Sequence, residues 1–318
     1  TERLAAGVDI GGTGLKVGLV RPSNAERVGA LRILSGHATD DPIRVLGAVA
    51  DTIRELLAAE GLGETGLAAI GVGSAGLVDA KAGIVRTSPN LPSWRDIRVR
   101  DELSARLDPR LAPRVTLIND AAAFLAAEWL AGAAEGYGDV LFVTLGTGVG
   151  GGLIMGGRPW RGPTGLGGEI GHMSIDMDGP ECPCGNRGCL ERFVARGAIE
   201  RLAVELGLAA EGADNPKRVH ERALAGDARA SRLFAEIGRR LGAGLAGLAN
   251  LLEPRLIVVG GGIAEAHDFI LPAARAEMEL RSMVARQRPL PVVPARFGPE
   301  AGVVGAALVA GRGDDRFA

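Results

Sequence analysis

The apolar residues of this chain keep two rhythms, one of period two and one of period three to four. Residues 5–20, Ala-Ala-Gly-Val-Asp-Ile-Gly-Gly-Thr-Gly-Leu-Lys-Val-Gly-Leu-Val, read as strand, Gly-rich turn and strand, and predict a hairpin. Over 42–59 the period lengthens: Ile43, Leu46, Val49, Ile53, Leu56 and Leu57 recur at helical spacing. Ala68 to Gly73 predicts a buried strand. Arg114 to Ile118 predicts another, running through Asn119-Asp120 into a helix over 121–131 with Asp120 in a capping position. The pattern then begins again. Asp139 to Leu145, followed by Gly146-Thr-Gly-Val-Gly-Gly-Gly-Leu-Ile-Met, predicts a second strand, turn and strand, and the likeness of the two hairpins points to an internal duplication. Helical spacing fills much of 195–253, and its clearest stretch, Leu241, Leu245, Leu248 and Leu252, stops before Pro254. Arg255 to Val259 predicts a short buried strand ending at Gly260-Gly261-Gly262, and Gly302 to Ala310 a last helix. Strands alternating with helices imply α/β layers.

Composition narrows this picture. A length of 318 residues suits two domains of ordinary size. The chain is 47% hydrophobic but only 3% aromatic, so its cores must be aliphatic. A net charge of −2 gives no footing for a nucleic-acid partner. No run of 18 apolar residues occurs, so no membrane span is expected. Thr1-Glu-Arg-Leu leads straight into the first strand, so no signal peptide is expected either.

The densest chemistry lies between Glu169 and Glu191. All three cysteines, Cys182, Cys184 and Cys189, fall here, with His172 ten residues before the first. Four such ligands in one short loop fit a tetrahedral Cys3His zinc site with no open position for water, hence a structural one. A disulfide would leave one cysteine unpaired, and a Cys182–Cys184 bridge would close a strained loop. Thiol ligands kept reduced fit a cytoplasmic protein.

The Gly-rich turns are the second candidate. In Asp9-Ile-Gly11-Gly12-Thr13-Gly14-Leu-Lys16, glycines let backbone N–H groups approach phosphate oxygens. Thr13 adds a hydroxyl, and Asp9 could hold a metal-bound water. Lys16 adds charge or is simply solvated. The segment lacks a Gly-Lys-Ser/Thr ending and is no Walker A loop, and an ordinary β-hairpin explains it equally well. The second turn contains Gly-x-Gly-x-x-Gly at 146, 148 and 151, which raises a dinucleotide site as a competitor. That fingerprint should enter a helix, whereas Gly152-Leu-Ile-Met reads as strand. Asn119-Asp120 is either a helix cap or a base at the carboxyl end of a strand. Glu169, His172 and Glu191 could meet sugar hydroxyls, and Asn90 sits in a Pro-bounded turn.

Taken together, Asp9-Ile-Gly-Gly-Thr13, Gly71-Val-Gly-Ser-Ala-Gly76-Leu-Val-Asp79, Pro89-Asn-Leu-Pro92, Asn119-Asp120, Leu145-Gly-Thr-Gly148, Gly167-Gly-Glu-Ile-Gly-His172 and Cys182-Pro-Cys-Gly-Asn-Arg-Gly-Cys-Leu-Glu191 resemble the ROK family of bacterial sugar kinases, most of all its glucokinases. The resemblance spans nearly the whole chain. It implies an α/β, actin-like two-lobed ATPase fold of the hexokinase superfamily with a zinc-binding loop. The smaller lobe would comprise 1–118 and 301–318, and the larger 119–300. ATP and Mg²⁺ would bind in the cleft. Asp120 would be the catalytic base at the sugar 6-hydroxyl. Ala75, Gly76, Asn90, Asn119, Asp120, Glu169, His172 and Glu191 would match sugar-binding positions. Asp9, Gly11, Gly12, Thr13, Gly146, Thr147, Gly148, Gly260, Gly261 and Gly262 would serve the nucleotide. His172, Cys182, Cys184 and Cys189 would hold structural Zn²⁺, with the second nitrogen of His172 facing the sugar.

One departure stands out. The family usually has Lys directly after Gly-Gly-Thr, and here that residue is Gly14, with Lys16 expected to point elsewhere. In this the loop looks like that of polyphosphate glucokinases, which generally lack the Cys-rich loop, so ATP remains the expected donor. The hexose is open among glucose, mannose, fructose and N-acetyl hexosamines. Family repressors carry a helix-turn-helix ahead of the sugar-binding body, and with eight residues before Asp9 an enzyme is expected. A homodimer or tetramer is implied by the resemblance alone.

Overall fold

Two five-stranded sheets, each with its own helices, account for most of the chain. The structure, a computed structural model, describes residues 3–11, 14–34, 41–88, 91–163, 167–208 and 216–317. It divides into two units, Thr1–Glu135 with Pro299–Ala318, and Gly136–Gly298.

In the first unit β1 (Leu4–Gly11) and β2 (Gly14–Arg21) form the expected hairpin, and β3 (Glu26–Leu34) extends its antiparallel edge. After helix α1 (Pro42–Ala59), β4 (Leu67–Ser74) returns parallel to β1. A small antiparallel sheet follows, made of β5 (Leu77–Asp79), β6 (Ile84–Thr87) and β7 (Arg95–Ile97), then α2 (Val99–Arg106). β8 (Val115–Asn119) joins parallel to β4 and leads into α3 (Asp120–Ala131). The strand order is β3-β2-β1-β4-β8.

Helix α1 starts where the sequence places it. The Asp41 side chain accepts the Ile43 N–H at 2.9 Å, and Pro42 presets the first turn. Of the expected stripe, Leu46, Val49, Ile53, Leu56 and Leu57 are buried with Val8, Ile10, Leu15 and Val17 of the hairpin, whereas Ile43 is exposed in the first turn and Val45 joins the core in its place. Each such side chain contributes roughly 1.5–3 kcal/mol by leaving water. Alternation along β1 turns Gly7 and Asp9 to the opposite face, where the helix Ala301–Arg312 lies on Gly7 and Gly71. Gly305 of that helix meets the Ala123 carbonyl of α3 with no room for a Cβ. The unit boundary therefore falls after Glu135 and not at 118/119, because α3 stays with the helix it packs against.

In the second unit β9 (Val140–Leu145), β10 (Val149–Met155) and β11 (Arg158–Trp160) are antiparallel neighbours. The helices α4 (Glu191–Val194), α5 (Arg196–Glu205), α6 (Pro216–Leu224) and α7 (Ala228–Leu252) follow. β12 (Leu256–Gly260) pairs parallel with β9; α8 (His267–Arg281) and α9 (Met283–Gln287) then lead to β13 (Val292–Pro294), parallel to β12. The order β11-β10-β9-β12-β13 repeats that of the first sheet, three antiparallel strands and then two parallel ones, so the duplication expected from the hairpins is present in topology. Helix α7 buries Leu241, Leu245 and Leu248, leaves Leu252 half-buried, and ends with Glu253 in the left-handed region at φ 45° ahead of Pro254. Its core is aliphatic, as the composition requires. Among the described residues no helix is long and apolar enough to cross a membrane.

Candidate active site

The first unit brings two carboxylates and one ammonium together. A hairpin closed by the pair Gly11–Gly14 places Asp9 directly opposite Lys16. The Lys16 Nζ lies 3.5 Å from Asp9 Oδ2 and donates to the Pro299 carbonyl at 2.9 Å. The expectation that Lys16 points elsewhere is thus corrected: directly opposed residues of an antiparallel pair share a face. That signal was already present in the numbering of the turn. A Cβ on Gly302 would come within 2.8 Å of Asp9 Oδ2, so the start of the helix Ala301–Arg312 closes over this carboxylate. Burial pushes the Asp9 carboxyl above its ordinary value, and the Lys16 charge works against that rise.

At the end of β8 the cap belongs to Asn119 and not to Asp120. The Asn119 Oδ1 accepts the N–H groups of Ala121 at 2.9 Å and Ala122 at 3.3 Å, while its Nδ2 donates to the Gly76 carbonyl at 3.0 Å. This corrects the capping position expected for Asp120, whose Oδ1 accepts the neighbouring Ala121 N–H at 2.9 Å. Burial raises the Asp120 pKa and the negative charge of Asp9 raises it further, against the pull of the Ala121 N–H. Ala75 continues from β4, donating its N–H to the Ile10 carbonyl at 3.0 Å, so Ala75, Gly76, Asn119 and Asp120 are gathered at one end of the sheet. Gly11 closes the hairpin; Gly12, Thr13 and Asn90 lie outside the described residues.

The second unit gathers the remaining candidates. In the turn between β9 and β10 the Gly146 N–H donates to the Gly148 carbonyl at 2.9 Å, and Thr147 is exposed at the tip. The chain then continues as strand, so the Gly-x-Gly-x-x-Gly spacing here is no dinucleotide fingerprint. Glu191 Oε2 accepts the Val149 N–H at 3.0 Å and lies 2.4 Å from where a Cβ on Gly148 would be, so a side chain there would displace this carboxylate. The Arg196 N–H donates to the Gly146 carbonyl at 3.0 Å, fixing the other side of the turn. Gly260 ends β12, and Gly261, at φ 88°, lies against the Leu145 backbone, so this third glycine group, continuing into Gly262, borders the same turn. The contacts of Glu191 and Arg196 with the turn escaped sequence reasoning, because the partners are tens of residues apart and no periodicity links them.

A single 3₁₀ turn, Ile170–His172, packs on β10, with Gly171 against the Val149 carbonyl. It carries Glu169, exposed, and His172, half-buried. His172 Nδ1 lies 3.7 Å from Cys182 Sγ, and Cys184 Sγ lies 3.7 Å from Cys189 Sγ. One ligand atom from each of the four residues falls within 4.8 Å of the others. A tetrahedral zinc with Zn–S bonds of about 2.3 Å has ligand–ligand edges of about 3.8 Å, so this donor set fits zinc. No disulfide forms; the three cysteines are free. Burial and the neighbouring thiols push Cys189 up to about 12, while the Asn186 N–H and the Cys182 thiol pull Cys184 down. Binding zinc here would release thiol protons. With Nδ1 turned to the cysteines, His172 keeps Nε2 for another partner.

The sequence profile of the ROK family matches residues 5–312. The chain belongs to the ROK family. Within it, the chain is 33% identical over 316 residues to the glucokinase of Thermotoga maritima, covering 95% of this chain and 96% of that protein. It is 32% identical over 307 residues to the kanosamine kinase of Amycolatopsis mediterranei, covering 96% of this chain and 95% of that one. The crystal structure of a ROK family glucokinase from Streptomyces griseus in complex with glucose and AMPPNP matches with a TM-score of 0.76 at 33% identity, over 96% of this chain and 98% of the other. The fold is that of the ROK sugar kinases, and the chain is a sugar kinase of that family.

Proposed function

We propose that this sugar kinase transfers the γ-phosphoryl group of ATP to the 6-hydroxyl of a hexose, with glucose the preferred acceptor. One observation carries the mechanism. Asp120 follows directly on a parallel strand, at the first position of α3, with a raised proton affinity, and Asn119 has taken over the capping duty. Such a carboxylate accepts the hydroxyl proton while the sugar oxygen attacks phosphorus and ADP departs. Glu169, the Nε2 of His172, the second oxygen of Glu191 and the Nδ2 of Asn119 are the groups offered to sugar hydroxyls, with Asn90 as a further candidate. In the Gly146–Gly148 turn the backbone N–H groups of Thr147 and Gly148 receive phosphate, and Gly260 to Gly262 border the nucleoside. Gly11, Gly12 and Thr13 serve the phosphates from the other hairpin.

Asp9 offers the hard oxygen donor that Mg²⁺ prefers and would hold it through water. Bound Mg²⁺ would offset charge on the β- and γ-phosphates. Zinc, held by His172, Cys182, Cys184 and Cys189, would lock the turn that carries Glu169 to the segment that carries Glu191. Thiol ligands of this kind fit a reducing cytoplasm.

Support for glucose comes from the identity to glucokinases across the chain. The kanosamine kinase at 32% identity favours an amino hexose as second reading. The test is a coupled ADP-release assay over glucose, mannose, fructose, N-acetylglucosamine, N-acetylmannosamine and an amino hexose, with ATP and polyphosphate as donors. The highest kcat/KM is expected for glucose with ATP. Preference for the amino hexose would favour the second reading, and ADP release with no hexose would end both.

A further inference from the structure

Lys16 is the one cation between residues 4 and 20, in a hairpin whose turn carries Gly14 where a side chain would have open space around it. Its ammonium is held at two points, the Pro299 carbonyl at 2.9 Å and Asp9 Oδ2 at 3.5 Å. Both side chains are sheltered, with 27% of Lys16 and 19% of Asp9 exposed. Pro299 lies two residues before the helix that closes over Asp9, in the turn that leads into it, so the lysine ties β2 to the start of that helix across the carboxylate. The other charged groups at this end of the sheet are accounted for. Glu300 pairs with Arg27 at 2.9 Å, and Asp120 is the second acid. Among the described residues, Lys16 is the cation paired with Asp9, and no other is seen beside the two carboxylates.

We infer that Lys16 is a positioning residue for phosphoryl transfer, clamping Asp9 between β2 and the Pro299 carbonyl and supplying at the hairpin base the positive charge that Gly14 does not. Acting through Asp9, it keeps one carboxylate neutralised and in a fixed orientation beside the phosphates, where small displacements are costly. This rests on the kinase reading above.

The test compares purified parent, Lys16→Gln, Lys16→Arg, Asp9→Asn and the Lys16→Gln/Asp9→Asn double variant. Lys16→Gln removes the charge and retains an N–H donor on a side chain one atom shorter. Its kcat should fall about tenfold or more, with the hexose KM within about twofold of the parent. Lys16→Arg should recover most of the loss. The double variant should be no slower than Asp9→Asn alone, because a residue that acts through another shows a strongly coupled cycle. Calorimetric titration with AMPPNP and Mg²⁺ should show weakening in Lys16→Gln and in Asp9→Asn and no further weakening in the double. A Lys16→Gln enzyme with parental kcat and only a lowered Tm would overturn the assignment while leaving the kinase reading intact, and so would additive losses in the double variant. If the parent releases ADP with no hexose, the kinase reading fails and takes this inference with it. Should Lys16→Gln not fold, the Lys16→Arg and Asp9→Asn pair answers the same question: parental kcat in both rejects the role.

Discussion

The two sheets share a strand order and a Gly-rich hairpin, yet the bases of the hairpins are finished with opposite materials. Two steps from the turn in the first unit stand Asp9 and Lys16, face to face and charged. Two steps from the turn in the second stand Val143 and Gly151, apolar and small. The first sheet ends its last parallel pairing at Asn119 with Asp120 beyond it, while the second turn is braced by Glu191 and bordered by a four-ligand cluster. A duplicated backbone offers N–H donors twice, and binding an anion requires little more than that. Moving a proton is helped by a sheltered carboxylate whose affinity has been shifted, and the first unit places two such groups, Asp9 and Asp120, at its sheet. In the second unit the Glu191 carboxylate instead accepts a backbone N–H and holds a turn.

The comparison breaks most readily at Asp120. Asp120→Ala should purify folded, with turnover lowered about 10²-fold or more, the range of a lost general base. Near-parental kcat would move the chemistry out of the first unit. The rigidity assigned to the second unit is tested by Cys184→Ser. Metal analysis should find zinc close to one per chain in the parent and well below that in the variant, with Tm lowered by several degrees, since metal binding is coupled to folding. Full zinc content in the variant would strike Cys184 from the ligand set.

Glu191 sharpens the same point on a smaller scale. Its Oε2 is the acceptor for the Val149 N–H, and Val149 is buried. Glu191→Ala should cost about 1–3 kcal/mol in urea denaturation by stranding that donor, whereas Glu191→Gln keeps an acceptor and most of the stability. Equal stability of both variants and the parent would show that the turn does not depend on this bond.

The smallest effect is the dependence of stability on pH. Asp9 and Asp120 bind protons more tightly in the folded chain than the ordinary carboxyl at 3.8. Their contribution to stability is therefore complete below that value and is lost as pH rises through the raised one. Asp120→Asn cannot ionise, so it should be slightly more stable than the parent at pH 7, with the gap closing toward pH 4 in paired denaturation curves. A gap that grows on acidification would contradict the raised affinity. The same shift predicts that kcat/KM falls on acidification at a pH above the ordinary carboxylate range.

Much of the scaffold was legible because it is local. The helical stripe of α1, all but Ile43, lies within one window of sequence, and so do both hairpins and the four candidate metal ligands. The misplacements have a common cause. Asn119 and Asp120 are both good caps, and only the reach of Asn119 to Ala122 and to the Gly76 carbonyl decides which of them does it. Lys16 was judged by its distance along the chain from the turn, although antiparallel pairing measures distance across it. The three-residue strands β11 and β13 and the small sheet are too short to show a period. The unit boundary moved because α3 is apolar nearly all round and follows the helix that covers it, a partner almost 180 residues away.

By itself, then, the chain's order of residues determined the duplicated hairpins, the period of each helix, the aliphatic character of the cores and the grouping of three thiols with an imidazole, since all of these depend on neighbours within a turn or a strand. Tertiary structure alone decided which carboxylates are sheltered and which side chain caps α3. It also set Lys16 against both Asp9 and Pro299, and bound the carboxylate of Glu191 to Val149. Those are properties of groups brought together from distant segments, and burial and Coulomb energy depend on separation in space rather than on separation along the chain.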